Sequence, residues 1–300
     1  MYDVIIIGAG PAGLTAAIYV RRAEKKVLVL EGKTYGGQIV STPDIENYPA
    51  EEHISGFDFA TKIYNQAKNL GAEIKFEKVT EVIDGEIKQV ITDDERYEGK
   101  TVIIATGSES RKLGLVNENE LIGKGVSYCA TCDGAFFKEK PVAVVGGGNT
   151  ALEDAIYLSG LASKVYLIHR KDKFRGEKAM IKKLEEKENV EFVFNSNVIK
   201  LNTTDGKLSN VEVADNNGSL KNLTVSGLFV AVGRVPETKI FENLVELDPA
   251  GYIVANENCH TSAEGIFVAG DNRTKDVRQL ATAVSDGATA GIEAVKFLEK

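Results

Sequence analysis

Residues 4–13 read VIIIGAGPAG, and this stretch decides the fold. The apolar run Val4–Ile7 predicts a buried strand, and the segment after the glycines, to about Arg22, predicts a helix. A second apolar run, Val27–Leu30, predicts the next strand. Glycines between a strand and a helix let the backbone approach a pyrophosphate that binds at the helix N-terminus. The stretch therefore predicts a dinucleotide-binding βαβ unit, and its expected contacts are Gly8, Gly10, Pro11, Ala12 and Gly13.

A second copy of this pattern begins at Val142–Val145, where an apolar strand leads into the loop GGGNTA. A helix to about Leu161 and a strand over Val165–Ile168 are predicted to follow. The third glycine position of the loop holds alanine in this copy. The expected dinucleotide contacts of the second copy are Gly146, Gly148, Asn149, Thr150 and Ala151.

Both copies continue in the same way. An Asp-Gly pair, Asp84-Gly85 in the first and Asp205-Gly206 in the second, interrupts a polar and apolar alternation and predicts a hairpin. A closing strand then leads into Ala105-Thr106-Gly107 in the first copy and into Ala231-Val232-Gly233-Arg234 in the second. One shared order of elements indicates two related dinucleotide-binding domains.

The tail after Ala250 does not begin a third copy. It contains an apolar strand that ends at Gly270-Asp271 and a small-residue helix from about Gln279. Because the second copy lies between the first copy and this tail, we predict an α/β fold in which one Rossmann-like domain, of the three-layer ββα type, is inserted in another. The predicted bounds are 1–112 with 242–300 for the discontinuous domain and 113–241 for the inserted domain.

The residues after the second strand distinguish the two copies. The first copy has Glu31, whose carboxylate accepts hydrogen bonds from a ribose diol and repels a 2′-phosphate. The second copy has His169-Arg170-Lys171, with Arg175 one helical turn beyond, and this cluster suits a phosphate dianion. We therefore expect FAD in the first domain and NADPH in the second, although a charged run is also typical of a solvated face. Asp271 can hold the polyol chain of a flavin, and it fits a solvated strand end equally well.

Cys129 and Cys132 form a C-x-x-C pair just before the second copy, so they belong to the inserted domain. This spacing permits a local disulfide and readily lowers one thiol pKa. Structural zinc needs two more ligands, and the remaining cysteine, Cys259, is followed directly by His260 in a predicted strand, so we predict no metal site. Asp133 can supply or remove a proton as the dithiol cycles, or it can be a turn residue before glycine.

The chain resembles the low-molecular-weight, bacterial-type thioredoxin reductases essentially from end to end. The motifs that carry the resemblance are those above, together with Gly36-Gly37-Gln38, Asn47 and Arg278-Gln279. The resemblance implies a homodimer with an FAD-binding and an NADPH-binding domain, and thioredoxin as the substrate. It implies further flavin contacts, which are Gly36, Gly37, Gln38, Asn47, Ala105, Thr106, Gly107, Asp271, Arg278 and Gln279.

The resemblance also implies roles for the dithiol residues. Cys132 is expected to face the flavin, Cys129 to attack the disulfide of thioredoxin, and Asp133 to act as the acid and base. Two positions depart from the family pattern. Lys171 replaces the usual arginine and lacks its planar fork, so we expect a weaker preference for NADPH. Ser285 stands where glycine is common, near the expected flavin.

Charge and composition bear on the remaining possibilities. A net charge of -8 and a pI near 5.2 argue against binding to nucleic acid or an anionic membrane. The chain shows neither 18 consecutive apolar residues nor a signal peptide, so a cytoplasmic location is expected. The alternatives are the flavoprotein of a peroxiredoxin system and an FAD-dependent dithiol oxidase. A ferredoxin-NADP reductase or a flavin-binding sensor would not need the cysteine pair.

Overall fold

The computed structural model describes residues 1–42 and 44–300. The chain divides into two compact units, one formed by residues 1–109 with 235–300 and the other by residues 110–234. These junctions lie a few residues before the predicted bounds at 112 and 241. The two connecting segments, Ser108–Ser110 and Arg234–Pro236, pair as a two-stranded sheet.

Each unit begins with alternating strands and helices and continues with a run of consecutive strands. The strands are β1 (Tyr2–Ile7), β2 (Val27–Leu30), β3 (Glu73–Lys75), β4 (Val79–Ile83), β5 (Lys88–Thr92), β6 (Arg96–Ile104), β7 (Ser108–Ser110), β8 (Val126–Ser127), β9 (Pro141–Gly146), β10 (Lys164–Ile168), β11 (Val190–Val193), β12 (Ser196–Thr204), β13 (Lys207–Asp215), β14 (Leu220–Thr224), β15 (Gly227–Ala231), β16 (Arg234–Pro236) and β17 (Ile266–Val268). The helices are α1 (Pro11–Arg22), α2 (Gly56–Asn69), α3 (Ala130–Asp133), α4 (Asn149–Ser159), α5 (Lys178–Glu185) and α6 (Leu280–Leu298).

The first unit is built on a sheet of order β3-β2-β1-β6, with β17 on the other side of β6. These strands pair in parallel, and Val4 lies opposite both Val27 and Thr101. Strand β6 also extends the antiparallel hairpin of β4 and β5 through its first half. Strands β1 and β2 are buried on both faces, as the unbroken apolar run in each predicts.

The second unit has the parallel sheet β11-β10-β9-β15-β8 and a separate antiparallel sheet of β12, β13 and β14. The hairpin predicted at Asp205-Gly206 is confirmed, since Thr204 pairs with Lys207 across a two-residue turn. Both turn residues have positive φ, 51° and 74°, which is the conformation of a type I′ turn. The Rossmann-like fold of both units agrees with the predicted fold class.

The stretch before β17 differs from the sequence-based expectation. Residues 252–260 were expected to include a strand, but they form only isolated bridges, such as Leu247 with Ile253. Cys259 has φ of +63°, which breaks the alternation of a strand, so the argument that His260 faces the opposite way does not apply. Within the described ranges, no helix is long and apolar enough to span a bilayer.

Candidate functional site

The glycines of the first loop have two different roles. Gly8 has φ of +108°, and a Cβ there would collide with the carbonyl oxygen of Ala105. A Cβ on Gly13 would fall on the carbonyl oxygen of Gly8. A Cβ on Gly10 would meet nothing within 4 Å. Backbone packing therefore requires glycine at the first and third positions, whereas the second leaves open space at the start of α1.

This open space lies at the N-terminus of a 12-residue helix. Gly10 is the N-cap of α1 and Pro11 follows at the first helical position. Glycine has no side chain to cap the first N–H groups of the helix, and Ala12 in the first turn is buried. N–H groups at the start of a helix bind anions, so the position fits a pyrophosphate.

Glu31 lies beside the same loop. Its Oε2 accepts a hydrogen bond from the Ala9 N–H at 2.8 Å, and its Oε1 accepts one from the Lys33 N–H at 2.8 Å. Each carboxylate oxygen keeps a further lone pair for a donor. The carboxylate is thus fixed where the sequence predicts a ribose contact.

The segment after Glu31 returns to the glycine loop. The Gly36 N–H donates to the carbonyl oxygen of Ala9 at 2.8 Å, and a Cβ on Gly37 would stand 3.5 Å from the Gly10 Cα. Both glycines have positive φ, 95° and 59°. Gln38 follows on the exposed side of a short 3₁₀ turn. The predicted contacts of this segment therefore surround the start of α1.

The tail contributes a second group of predicted flavin residues. Asn47 donates from Nδ2 to Gln279 Oε1 at 3.3 Å, at the start of α6. The Arg278 guanidinium lies over the Tyr252 ring at 4.2 Å, and its Nε is 3.5 Å from the carbonyl oxygen of Asp271. The structure therefore brings Asn47, Asp271, Arg278 and Gln279 together.

Asn272, which the sequence analysis did not single out, supports this group from inside. Its Nδ2 donates to the carbonyl oxygen of Ile104 and to Thr106 Oγ1, both at 3.2 Å. The residue is fully buried, and its Oδ1 has no hydrogen-bond partner among the described residues. A buried acceptor without a donor is costly, so this place fits a ligand with hydroxyl or N–H donors. Gly107, with φ of +69°, follows Thr106 and leaves open space.

The second glycine loop repeats the arrangement of the first. A Cβ on Gly146 would collide with the carbonyl oxygen of Ala231, whereas a Cβ on Gly148 would meet nothing within 4 Å. Gly148 is the N-cap of α4, and Ala151 is buried below it. The Asn149 Oδ1 accepts a hydrogen bond from the Glu177 N–H at 2.9 Å, which ties the loop to α5, and Thr150 is exposed.

The basic cluster is divided into one buried ring and three exposed cations. His169 is 5% exposed, its ring lies where a Cβ on Gly147 would stand, and its Nε2 has no partner among the described residues. Burial, and then Arg175, lower the pKa of His169, so the ring is neutral at pH 7. The Arg175 N–H donates to the carbonyl oxygen of Gly147 at 2.7 Å, which places this side chain beside the loop. The exposed cations are Arg170, Lys171 and Arg175.

Cys129 and Cys132 form a disulfide with Cα atoms 5.3 Å apart. Cys129 is the N-cap of α3, and Cys132 lies within this short helix. Ser127 organises the site, since its hydroxyl donates to Asp133 Oδ2 at 2.6 Å and accepts from the Cys129 N–H at 3.1 Å. Sequence reasoning missed Ser127 because serine two residues before a cysteine has no distinctive spacing.

Asp133 is the titratable group of this site. Burial raises its pKa, and the hydrogen bond from Ser127 opposes that rise. Its Oδ1 is buried without a hydrogen-bond partner among residues 1–42 and 44–300. A carboxyl group in this setting can hold a proton next to the sulfur atoms and release it.

Cys259 and Ser285 are the two remaining positions that the sequence analysis singled out. Cys259 is fully buried, and burial raises its pKa to about 11, so it is an inert thiol. Ser285, which is predicted near the flavin, is exposed on α6. The next residue, Asp286, is the one that contacts the Gly270-Asp271 turn. It was detectable as a single acid in register with Ala290 and Ala294 on the apolar face of α6.

Comparisons with known proteins agree with this geometry. The family described as pyridine nucleotide-disulphide oxidoreductase matches residues 2–287. The chain is 45% identical over 302 residues to a thioredoxin reductase of Listeria monocytogenes, covering 100% of this chain and 95% of that protein. It is 44% identical over 302 residues to a thioredoxin reductase of Bacillus subtilis, covering 100% and 96%. The solved structure of thioredoxin reductase from Streptococcus pyogenes superposes with a TM-score of 0.95 at 42% identity, covering 100% of this chain and 98% of that one.

Proposed function

We propose a function from the premise that the chain belongs to the pyridine nucleotide-disulphide oxidoreductases and, among them, to the thioredoxin reductases. It is an NADPH-dependent flavoprotein disulfide reductase, and its disulfide substrate is thioredoxin. The observation that carries the proposal is the Cys129–Cys132 disulfide with the half-buried Asp133 next to it in sequence, in the same unit as the second glycine loop.

Each unit is assigned one dinucleotide. FAD binds to the unit of residues 1–109 and 235–300, because the Glu31 carboxylate is fixed where it can accept hydrogen bonds from ribose hydroxyls. Its negative charge would repel a 2′-phosphate. NADPH binds to the unit of residues 110–234, because Arg170, Lys171 and Arg175 are exposed beside the open Gly148. The neutral His169 supports the loop, so the three cations carry the contact with the 2′-phosphate.

The site residues then have defined tasks. Bound FAD supplies hydride acceptance from the nicotinamide and passage of the electron pair to the disulfide. As the Cys129–Cys132 bond breaks, both sulfurs gain electrons and one leaves as a thiolate. Asp133 stabilises that leaving group by giving a proton to the sulfur, a role that fits a carboxyl whose pKa is raised by burial.

Transfer to the substrate follows as thiol–disulfide exchange. The Cys129 thiolate attacks one sulfur of the thioredoxin disulfide, forming a mixed disulfide, and the other thioredoxin sulfur leaves as a thiolate. Cys132 then attacks the Cys129 sulfur, which re-forms the internal disulfide and releases reduced thioredoxin. The assignment of these two roles rests on the family resemblance. A homodimer, proposed on the same ground, is tested by light scattering. A cytoplasmic location, also proposed, is tested by cell fractionation.

Anaerobic spectroscopy tests the proposal. NADPH should bleach the flavin absorbance near 450 nm, characteristic of flavins, and adding oxidised thioredoxin should restore it while consuming one NADPH per disulfide. NADH should be much less efficient. Bleaching without reoxidation by thioredoxin would contradict the assigned substrate. Reoxidation by molecular oxygen coupled to disulfide formation would instead indicate the dithiol oxidase.

A further inference from the structure

Asp286 is a buried carboxylate on α6 that the assigned reaction does not use. It is 7% exposed, and its nearest charged neighbours are themselves largely buried, with Arg273 and Lys275 side chains 11% and 8% exposed. A buried carboxylate is costly unless its oxygens are hydrogen-bonded and its charge is paired. Both conditions are met here.

Within residues 1–42 and 44–300, the hydrogen bonds of the Asp286 carboxylate all come from the segment 270–275. Its Oδ2 accepts hydrogen bonds from the Gly270 N–H at 3.0 Å, from Arg273 Nε at 3.0 Å and from Lys275 Nζ at 2.9 Å. Its Oδ1 accepts one from Arg273 Nη2 at 3.2 Å. Burial acts to raise the pKa of Asp286, but the two cations hold it below the ordinary value, so the carboxylate stays charged.

The same segment contacts the start of α1. Gly270 has φ of +90°, and a Cβ there would stand 3.0 Å from the Ala12 Cβ. Gly287, next to Asp286, packs so closely on α1 that a Cβ would collide with the carbonyl oxygen of Ala12. Ala12 belongs to the first turn of α1, at the expected pyrophosphate position, and Asp271 lies at the expected polyol position. Asp286 therefore connects two segments at which the same ligand is expected.

We propose that Asp286 is a positioning residue for FAD, which fixes the Gly270-Asp271 turn against the first turn of α1 so that both segments contact one cofactor. Arg273 and Lys275 keep the carboxylate in place, and the Gly270 N–H donates the positioning bond to Asp286 Oδ2. This inference rests on the assignment of FAD to this unit. Asp286 would join the residues that hold FAD without touching a reacting atom, since it acts only through Gly270.

The rate at which the holoenzyme releases FAD tests the proposal, because free FAD fluoresces more strongly than bound flavin. D286N retains the shape of the side chain but loses the charge that holds Arg273 and Lys275. We expect it to release FAD about 10-fold or more faster and to change the visible circular dichroism of the bound flavin. NADP⁺ affinity, which belongs to the other unit, should stay unchanged. D286E, which restores the charge, should recover part of the retention.

E293Q is the matched control, since Glu293 is also a carboxylate of α6. It pairs with His260 at 3.0 Å and with Lys296 at 2.7 Å. Among the described residues it makes no hydrogen bond to the Gly270-Asp271 turn. E293Q should release FAD as the wild type does. If D286N does not fold, R273Q decides, since it removes the two Arg273 hydrogen bonds that keep the Asp286 carboxylate in place for Gly270. Release about 3-fold faster supports the proposal, and an unchanged rate overturns it. Equal release from folded D286N and wild type also overturns it. A wild type that contains and binds no FAD would refute the proposed function itself.

Discussion

The two glycine-loop units align without a gap at a constant offset of 138 residues, from Gly8 and Gly146 to Glu31 and His169. The glycine at the second loop position is open in both units, and the first position packs against the closing strand in both. The shared scaffold therefore explains why each unit binds a dinucleotide. It does not explain why their ligands differ.

What covers the helix after each loop differs between the units. On α1, Gly291 of α6 lies against Tyr19, and a Cβ on this glycine would stand 3.1 Å from the Tyr19 Cβ. On α4, the corresponding residue is Tyr157. The dithiol segment, residues 129–134, lies against it, since a Cβ on Gly134 would stand 2.8 Å from the Tyr157 ring. The dithiol segment thus occupies on the second helix the place that α6 occupies on the first. One packing position carries a flavin-site helix in one unit and the redox disulfide in the other.

The residue after the second strand gives the other difference. The Glu31 carboxylate accepts a hydrogen bond from the Ala9 N–H, whereas the neutral ring of His169 is buried against Gly147. The second unit therefore has exposed cations, which we propose pair with the 2′-phosphate, where the first unit has a fixed negative charge. Variants that break these differences one at a time should separate the half-reactions of the enzyme.

The largest effect is expected from the dithiol segment. C129S should lower thioredoxin reduction by at least about 1000-fold, because the remaining thiol, Cys132, is the one assigned to the flavin and not to thioredoxin, while NADPH still bleaches the flavin. C132S should trap a mixed disulfide between Cys129 and thioredoxin, visible on a non-reducing gel. C259S is the control and should keep full activity, since its thiol is buried and inert. Trapping by C129S alone would reverse the roles of the two cysteines.

A smaller loss is expected from D133N. An amide cannot give a proton to the leaving sulfur, so reduction of the disulfide should slow about 100-fold, with flavin reduction by NADPH unchanged. Burial raises the pKa of Asp133, so wild-type disulfide reduction should weaken as pH rises through that pKa and the carboxyl loses its proton. Stopped-flow measurement of the two half-reactions across pH separates these effects. A D133N enzyme with an unaltered pH profile would show that another group is the acid.

The exposed cations of the second unit should set the choice of nicotinamide cofactor. R170A and R175A should each lower kcat/KM for NADPH about 10-fold or more and leave the value for NADH nearly unchanged, because only NADPH carries the 2′-phosphate. K182A, a change at an exposed lysine of α5, is the matched control. Equal losses with both cofactors would show that the arginines support the fold rather than the phosphate.

The repeat explains how much of this was accessible from the sequence. Both βαβ units, the Asp205-Gly206 hairpin and the inserted arrangement follow from local patterns of glycine and apolar residues, which directly reflect backbone conformation. Ser127, Asn272 and Asp286 were not found, because each acts through a contact with residues that the fold, and not a motif, brings close. The strand predicted within residues 252–260 does not form, for a related reason. Cys259 has a positive φ, and such a conformation at a non-glycine residue is fixed by surrounding packing and leaves no pattern in the sequence.

The smallest effect, on stability rather than turnover, is expected at Asp154, the counterpart of Ala16. Ala16 is fully buried where α6 packs on α1, whereas burial, and then the neighbouring Glu153, raise the pKa of Asp154 to about 7. The folded protein therefore binds this proton more tightly than the unfolded chain, whose ordinary carboxyl pKa is 3.8, so stability declines as pH rises from about 4 to about 7 and stays lowered above that. D154N should be more stable than the wild type by about 1–2 kcal/mol at about pH 8, a gain kept small because solvent screens a partly exposed carboxylate. The gain should shrink at about pH 5, below the pKa of Asp154 in the folded protein. Urea unfolding at both pH values measures the difference, with E185Q, a change at an exposed acid of α5, as the control. An equal gain at both pH values would show that Asp154 does not titrate in this range.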